Sequence, residues 1–155
     1  MVRISDFLGR DHILSSFKSD EKGAALMELC VLLAGNGDVG DAGAVFDAMM
    51  KRESLGSTGI GDQIAIPHAR TPLATSLTGA FGLSRDGIEY SAMDGKPVRL
   101  VFMLVAAEKT AGESLKALAR VSRLLRSPGF LERIEGAGNA GEMSFIIAEE
   151  DEKLG

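Results

Sequence analysis

Hydrophobic positions along this chain switch from helical to strand spacing and back again. In SDEKGAALMELCVLLAGNG, residues 19–37, Ala25, Leu26, Leu29, Cys30 and Leu33 fall on one helical face. Ser19 is the expected N-cap, acids follow in the first turn, and a glycine stops the helix. A second helix is expected over about 41–55, with Ala44, Val45, Ala48 and Met49 as its stripe, Asp41 as cap and Gly56 as stop. Strand signals come next. Ile64 to Ile66 is a short apolar run cut by Pro67, which places His68 at a strand end or loop start. SLTGAFGLS (76–84) and VRLVFMLVA (98–106) read as strands, the second nearly continuous and therefore central. DGIEY and MDGKP carry turn signals between them.

The last third returns to helical spacing. TAGESLKALARVSRLLRS places Thr110 and Glu113 at capping-box separation, and Ser114, Leu118, Val121 and Leu125 then share a face. Pro128 opens a short helix and NAGEMSFIIAEE a final one. HILSSF (12–17) adds an edge or early strand near the start. Without strict alternation of strand and helix, this order predicts an α/β fold with a mixed sheet, in one domain over 1–155.

Composition narrows the function classes. A net charge of −5 argues against a nucleic-acid partner, since phosphate backbones require a basic face. Part of that charge lies in EEDEK (149–153), which reads as a solvated end. No stretch is apolar enough for a membrane helix or a signal peptide, so the expected location is the cytoplasm. A lone cysteine, Cys30, forms no internal disulfide and reads as core. Aromatic residues make up only 5%, so aliphatic side chains and methionines must fill the interior.

The chemistry concentrates in LGSTGIGDQIAIPHAR, residues 55–70. GSTGIGDQIA is similar to the cofactor turn of short-chain dehydrogenases. That use requires a buried strand before the loop and a long helix after it. DAMMKRES instead reads as a helix, Pro67 would end the following helix early, and Tyr90 is followed at four positions by Asp94 instead of a lysine. His68 is the alternative. A lone histidine is often incidental, but around it Ser57 and Thr58 offer hydroxyls, Gly59 and Gly61 accessible amides, and Arg52 and Arg70 forked cations. Those are the parts that hold a phosphoryl group.

KRESLGSTGIGDQIAIPHAR, residues 51–70, resembles the active-site signature of the IIA domains of the sugar phosphotransferase system, in particular the fructose, mannitol and nitrogen-regulatory type. The resemblance extends to SDEKGAALMELCVLLA, DGKPVRLVFMLVAAE and LKALARVSRLL. It implies a mixed sheet flanked by helices on both faces. It also implies that His68 accepts a phosphoryl group from an HPr-like or nitrogen-type phosphocarrier, with Arg52 in contact and with no metal or cofactor. Ser57, Thr58 and Ser114 complete the expected phosphate-binding set. A IIB domain, a sensor kinase or a transporter is the implied onward partner. No fused membrane or IIB segment is expected, which favours the stand-alone, nitrogen-regulatory type.

The sequence departs from the family in one place that matters. A second histidine usually precedes the leucine at the helix start, and here that position is Ser114. Serine donates one hydrogen bond but carries no titratable charge. Ser114 is read either as a substitute ligand or as an ordinary first-turn polar residue, with Glu113 assigned to capping. Two functions therefore stay open: a phosphoryl relay through His68, and a IIA-like binding module with slow or absent transfer. Smaller departures are Asp62–Gln63 in the loop and Ala69 after the histidine; His12 falls outside every match.

Overall fold

The computed structural model describes residues 2–155. In chain order its elements are β1 (Ile13–Leu14), α1 (Lys22–Gly35), α2 (Ala42–Glu53), β2 (Gly59–Gly61), β3 (Ile64–Ala65), β4 (His68–Arg70), β5 (Thr78–Ile88), β6 (Val98–Ala106), α3 (Ala111–Leu125), α4 (Phe130–Glu135) and α5 (Ala140–Lys153). The strands form one mixed sheet in the order β1-β5-β6-β3-β2, with β4 also paired to β6. β6 is central as expected, antiparallel to β5 and parallel to β3 and β4. Its side chains alternate between two cores. Leu100, Phe102 and Leu104 face α3, α4 and α5, while Val101, Met103 and Val105 face α1 and α2. Phe7, Phe81 and Phe130 join Phe102 on the first side, with neighbouring ring centroids 6.0–6.4 Å apart. Tilted and edge-on pairs of this kind add about 0.5–1.5 kcal/mol each beyond their burial.

The starts of the helices differ from expectation in two cases. α1 is capped by Glu21, whose carboxylate accepts from Ala24 N at 2.9 Å, and not by Ser19. The cause is tertiary. Residues 20 and 21 are held extended against the end of β5, with Glu89 N donating to Asp20 O at 2.8 Å and Lys22 N to Glu89 O at 3.1 Å. The Thr110–Glu113 capping box also fails to form. A 3-10 turn over Glu108–Thr110 precedes α3, and the Thr110 hydroxyl donates to Ala107 O at 2.8 Å instead of capping the helix. Asp41 caps α2 as expected, accepting from Gly43 N at 2.9 Å.

HILSSF contributes only the short β1, because Arg10–His12 form a 3-10 turn. EEDEK is not a free tail. α5 runs to Lys153, and Asp151 is 3% exposed and paired with Arg120.

Two local features position the loop of interest. β2 and β3 form a hairpin whose turn residues, Asp62 and Gln63, have φ of +56° and +67°. That left-handed pair is the two-residue turn that matches strand twist, reached here without glycine at either position. Gly59 is needed for close packing: a Cβ there would lie 2.7 Å from Ala92 Cβ. Pro67 interrupts the edge but does not end it. β3 and β4 keep the same register against β6, Ile64 opposite Leu100 and His68 opposite Leu104. Proline withholds one N–H from the ladder, and its carbonyl still accepts from Leu104 N at 2.9 Å. His68 therefore opens a second strand piece, where the sequence placed it at a strand end or loop start.

Candidate functional site

Among the described residues β4 pairs only with β6, which leaves a gap along its other side, whereas Gly59 O of β2 accepts from Met93 N at 3.0 Å. The C-terminal end of α2 and the N-terminal half of α3 flank that gap. Between them lies a cavity of about 490 Å³, whose lining includes His68, Arg52, Ser114, Lys51 and Arg70. An adjoining recess of about 310 Å³ is lined by Arg52 and His68 again, with Ser57, Thr58 and Ser122. Arg52 and His68 thus face both spaces, and Leu118 borders both.

His68 owes its place to strand alternation. Ala65 and Ala69 pack on the α1–α2 side of the sheet, whereas Ile64 and Ile66 belong to the core beneath α3. Two residues beyond Ile66, His68 projects on that same side, at the mouth of the cavity. Its ring is half-buried, and Nδ1 lies 2.8 Å from the carbonyl oxygen of Ile66. A carbonyl only accepts, so Nδ1 carries the proton and donates it there. The lone pair of the neutral ring is thereby left on Nε2.

Arg52 sits in the last turn of α2, and its Nη1 donates to Gly56 O at 2.9 Å. Ser57 Oγ accepts from Gly59 N at 3.1 Å, so its hydroxyl proton is still available. Thr58 is different. It is 3% exposed, and its hydroxyl is engaged with the Glu53 carboxylate and, at 2.9 Å, with Tyr90 Oη. Burial, and then the neighbouring Glu53 carboxylate, push the Tyr90 phenol far above its ordinary range, so it stays protonated. Ser114 lines the larger cavity from the first turn of α3, with Leu115 beside it. Glu113 borders a separate recess with Val2, Asp6 and Phe7.

The structure therefore brings His68, Arg52 and Ser114 around one cavity and places Ser57 and Thr58 on its neighbour. Sequence reasoning passed over Lys51, Leu55 and Leu115. Leu55 and Leu115 are 82% and 71% exposed on the rim, although large apolar side chains usually avoid water. For Leu115 the signal was present: it is an apolar residue beside Ser114 and off the apolar stripe of its helix. His12 lies elsewhere, with Nε2 2.7 Å from Asp38 Oδ2 and Nδ1 accepting from Gly9 N at 3.1 Å. No cluster of three or more metal-ligating side chains occurs among the described residues, and none of their helices is long and apolar enough to cross a membrane.

Residues 6–150 match the family described as phosphoenolpyruvate-dependent sugar phosphotransferase system, EIIA 2. The chain is 35% identical over 145 residues to a nitrogen regulatory protein of Bradyrhizobium diazoefficiens, covering 94% of each. It is 36% identical over 150 residues to the fructose-specific EIIABC component of Bacillus subtilis, covering 97% of this chain and 24% of that longer protein. The crystal structure of the nitrogen regulatory protein IIA-Ntr from Neisseria meningitidis superposes with a TM-score of 0.84 at 32% identity, over 93% of this chain and 98% of the other.

Proposed function

Because the chain belongs to the EIIA type-2 family of the phosphoenolpyruvate-dependent sugar phosphotransferase system, we propose that it takes a phosphoryl group onto His68 from a phosphohistidine carrier protein. The observation that carries this reading is the bond from His68 Nδ1 to Ile66 O, which directs the ring's lone pair to Nε2 at a cation-lined cavity. In the transfer, the carrier's N–P bond breaks and its electron pair stays on the carrier's imidazole. The Nε2 lone pair forms the new N–P bond, and the Nδ1 proton stays on Nδ1, donated to the Ile66 carbonyl throughout. Arg52 supplies fixed positive charge to the equatorial phosphoryl oxygens, with donors from Ser57 and Ser114. The exposed Leu55 and Leu115 form the apolar part of the surface on which the carrier docks. The nitrogen-regulatory type is favoured by the relatives of that name, and the phosphoryl group then serves as a signal or passes to a IIB domain, with a sensor kinase or transporter as reader.

A second reading is favoured by Ser114: a IIA-like binding module that docks partners without efficient transfer. One experiment separates the two. The protein is incubated with phosphoenolpyruvate, the first enzyme of the relay and its phosphocarrier, and its intact mass is read beside a His68→Ala control. An acid-labile gain of one phosphoryl group, absent from the control, supports the relay. No gain with a verified, fully charged carrier leaves the binding module.

A further inference from the structure

Glu53 ends α2 with a carboxylate whose side chain is 3% exposed. Its partners come from three separate parts of the fold. Lys22 Nζ, at the start of α1, donates at 3.0 Å; Tyr90 Oη, just beyond β5, donates at 3.2 Å. Thr58 donates twice, through its backbone N–H at 3.2 Å and through its hydroxyl. The Lys22 ammonium also stands 4.6 Å from the centre of the Tyr90 ring. A carboxylate is tolerated at such depth only when paired and fully hydrogen-bonded, and Glu53 meets both conditions.

The cluster fixes residues 54–58 at one end, and Arg52 holds the same loop from the other side through Gly56 O at 2.9 Å. Glu53 and Arg52 are adjacent in sequence and point to opposite sides of this loop: Glu53 into the interior, Arg52 to the two spaces it shares with His68. We infer that Glu53 is a positioning residue for phosphoryl transfer. By anchoring Thr58 it sets the loop, and through the Gly56 carbonyl the loop holds the Arg52 guanidinium toward the group on His68. This deepens the relay reading above and rests on it. It also gives Thr58 a different part from the phosphate ligand expected of it: its hydroxyl serves the anchor.

The test is Glu53→Gln, which keeps the shape and removes the charge. The rate of transfer to His68 at saturating phosphocarrier falls at least tenfold, while KM for the carrier changes by a smaller factor, because Leu55 lies on the loop but Leu115, on α3, does not. Loss of fold alone does not give the second expectation. In an Arg52→Ala background, Glu53→Gln slows transfer by a clearly smaller factor than in the wild type, because the main residue through which it acts is gone and only Ser57 remains on the same loop. A readout independent of transfer is the side-chain Nε–Hε NMR signal of Arg52 in the unphosphorylated protein. It moves toward that of a free arginine in Glu53→Gln, while the signal of the distant Arg120 stays in place. If Glu53→Gln is too unstable to assay, Tyr90→Phe removes one donor, keeps the ring, and gives smaller changes in the same direction. Losses that multiply in the double variant, or an Arg52 signal that does not move, overturn the inference. Failure of the wild-type protein to accept phosphate overturns the relay reading instead, and the Arg52 signal still decides whether Glu53 sets that side chain.

Discussion

Replacing Asp151 by alanine isolates the contact that turns an acidic tail into part of the fold. The carboxylate accepts from Arg120 Nε at 2.6 Å and from Ile4 N at 2.9 Å, and the two side chains of the ion pair are 7% and 5% exposed. Removing one partner of a buried pair leaves the other charge uncompensated, at a cost of about 3–5 kcal/mol. Here two other guanidinium bonds survive, because Arg120 Nη2 and Nη1 donate to the backbone carbonyls of Asp151 and Gly155 at 2.7 and 3.1 Å. That puts the expected loss at the low end, about 3 kcal/mol, including the Ile4 amide left without an acceptor. For a chain of this size the melting temperature should fall by roughly 6–12 °C. Urea unfolding should show a lower midpoint with an unchanged slope, the sign that the native state and not the unfolded ensemble has been altered. Replacing both partners with apolar side chains, Arg120→Met with Asp151→Leu, should recover most of the loss. A deficit below about 1 kcal/mol for Asp151→Ala would refute the argument and return residues 149–153 to the status of a solvated end.

Arg52→Ala should slow phosphorylation of His68 by about 10- to 150-fold, the worth of one charge-assisted bond of about 1.5–3 kcal/mol, as read by quenched-flow mass measurement. Ser114→Ala removes one neutral hydrogen bond and should cost about two- to tenfold in the same assay; a loss as large as that of Arg52→Ala would give the hydroxyl a greater part. Gln63→Gly should stabilise the protein by about 0.5 kcal/mol in urea, since Gln63 holds φ +67° and the strain relieved slightly exceeds the freedom gained by the unfolded chain. Burial pushes the Cys30 thiol up to about 12, so in native protein at pH 8 it should resist iodoacetamide and react only on unfolding. The same shift means that the unfolded chain loses this proton first. Stability should therefore fall as pH rises from the ordinary thiol range toward about 12, by up to ~1.4 kcal/mol per unit from this group, and a Cys30→Ala variant should lack that share.

What the sequence determined by itself was whatever short-range periodicity encodes. Val98–Ala106 is apolar at nearly every position because both of its faces are covered, so its run marked the central strand with the observed limits. The stripe of α2 and its Asp41 cap were equally legible, because the cap and the amides it serves lie within three residues. The charged helix before the glycine loop and the proline after it were enough to set the dinucleotide reading aside. The ordered match of residues 51–70 brought in the family.

Long-range pairing decided the rest. α1 starts at Lys22 because the backbone at residues 20 and 21 pairs with Glu89, a partner no local window contains. Pro67 looked like the end of a ladder, yet the edge resumes because β6 continues to offer pairing groups in unchanged register. Asp151 and Arg120 lie far apart in sequence, so a run of acids read as solvated until α3 placed a guanidinium against it. At the site, the sequence supplied His68 and Arg52 and the list of hydroxyls near them. Only the fold showed which hydroxyl is free and which is not, because Thr58 meets Tyr90 across 32 positions of chain and closes on Glu53 from the far side of a loop. Residue types fix what chemistry is available, while the directions in which side chains are buried fix which of them can use it.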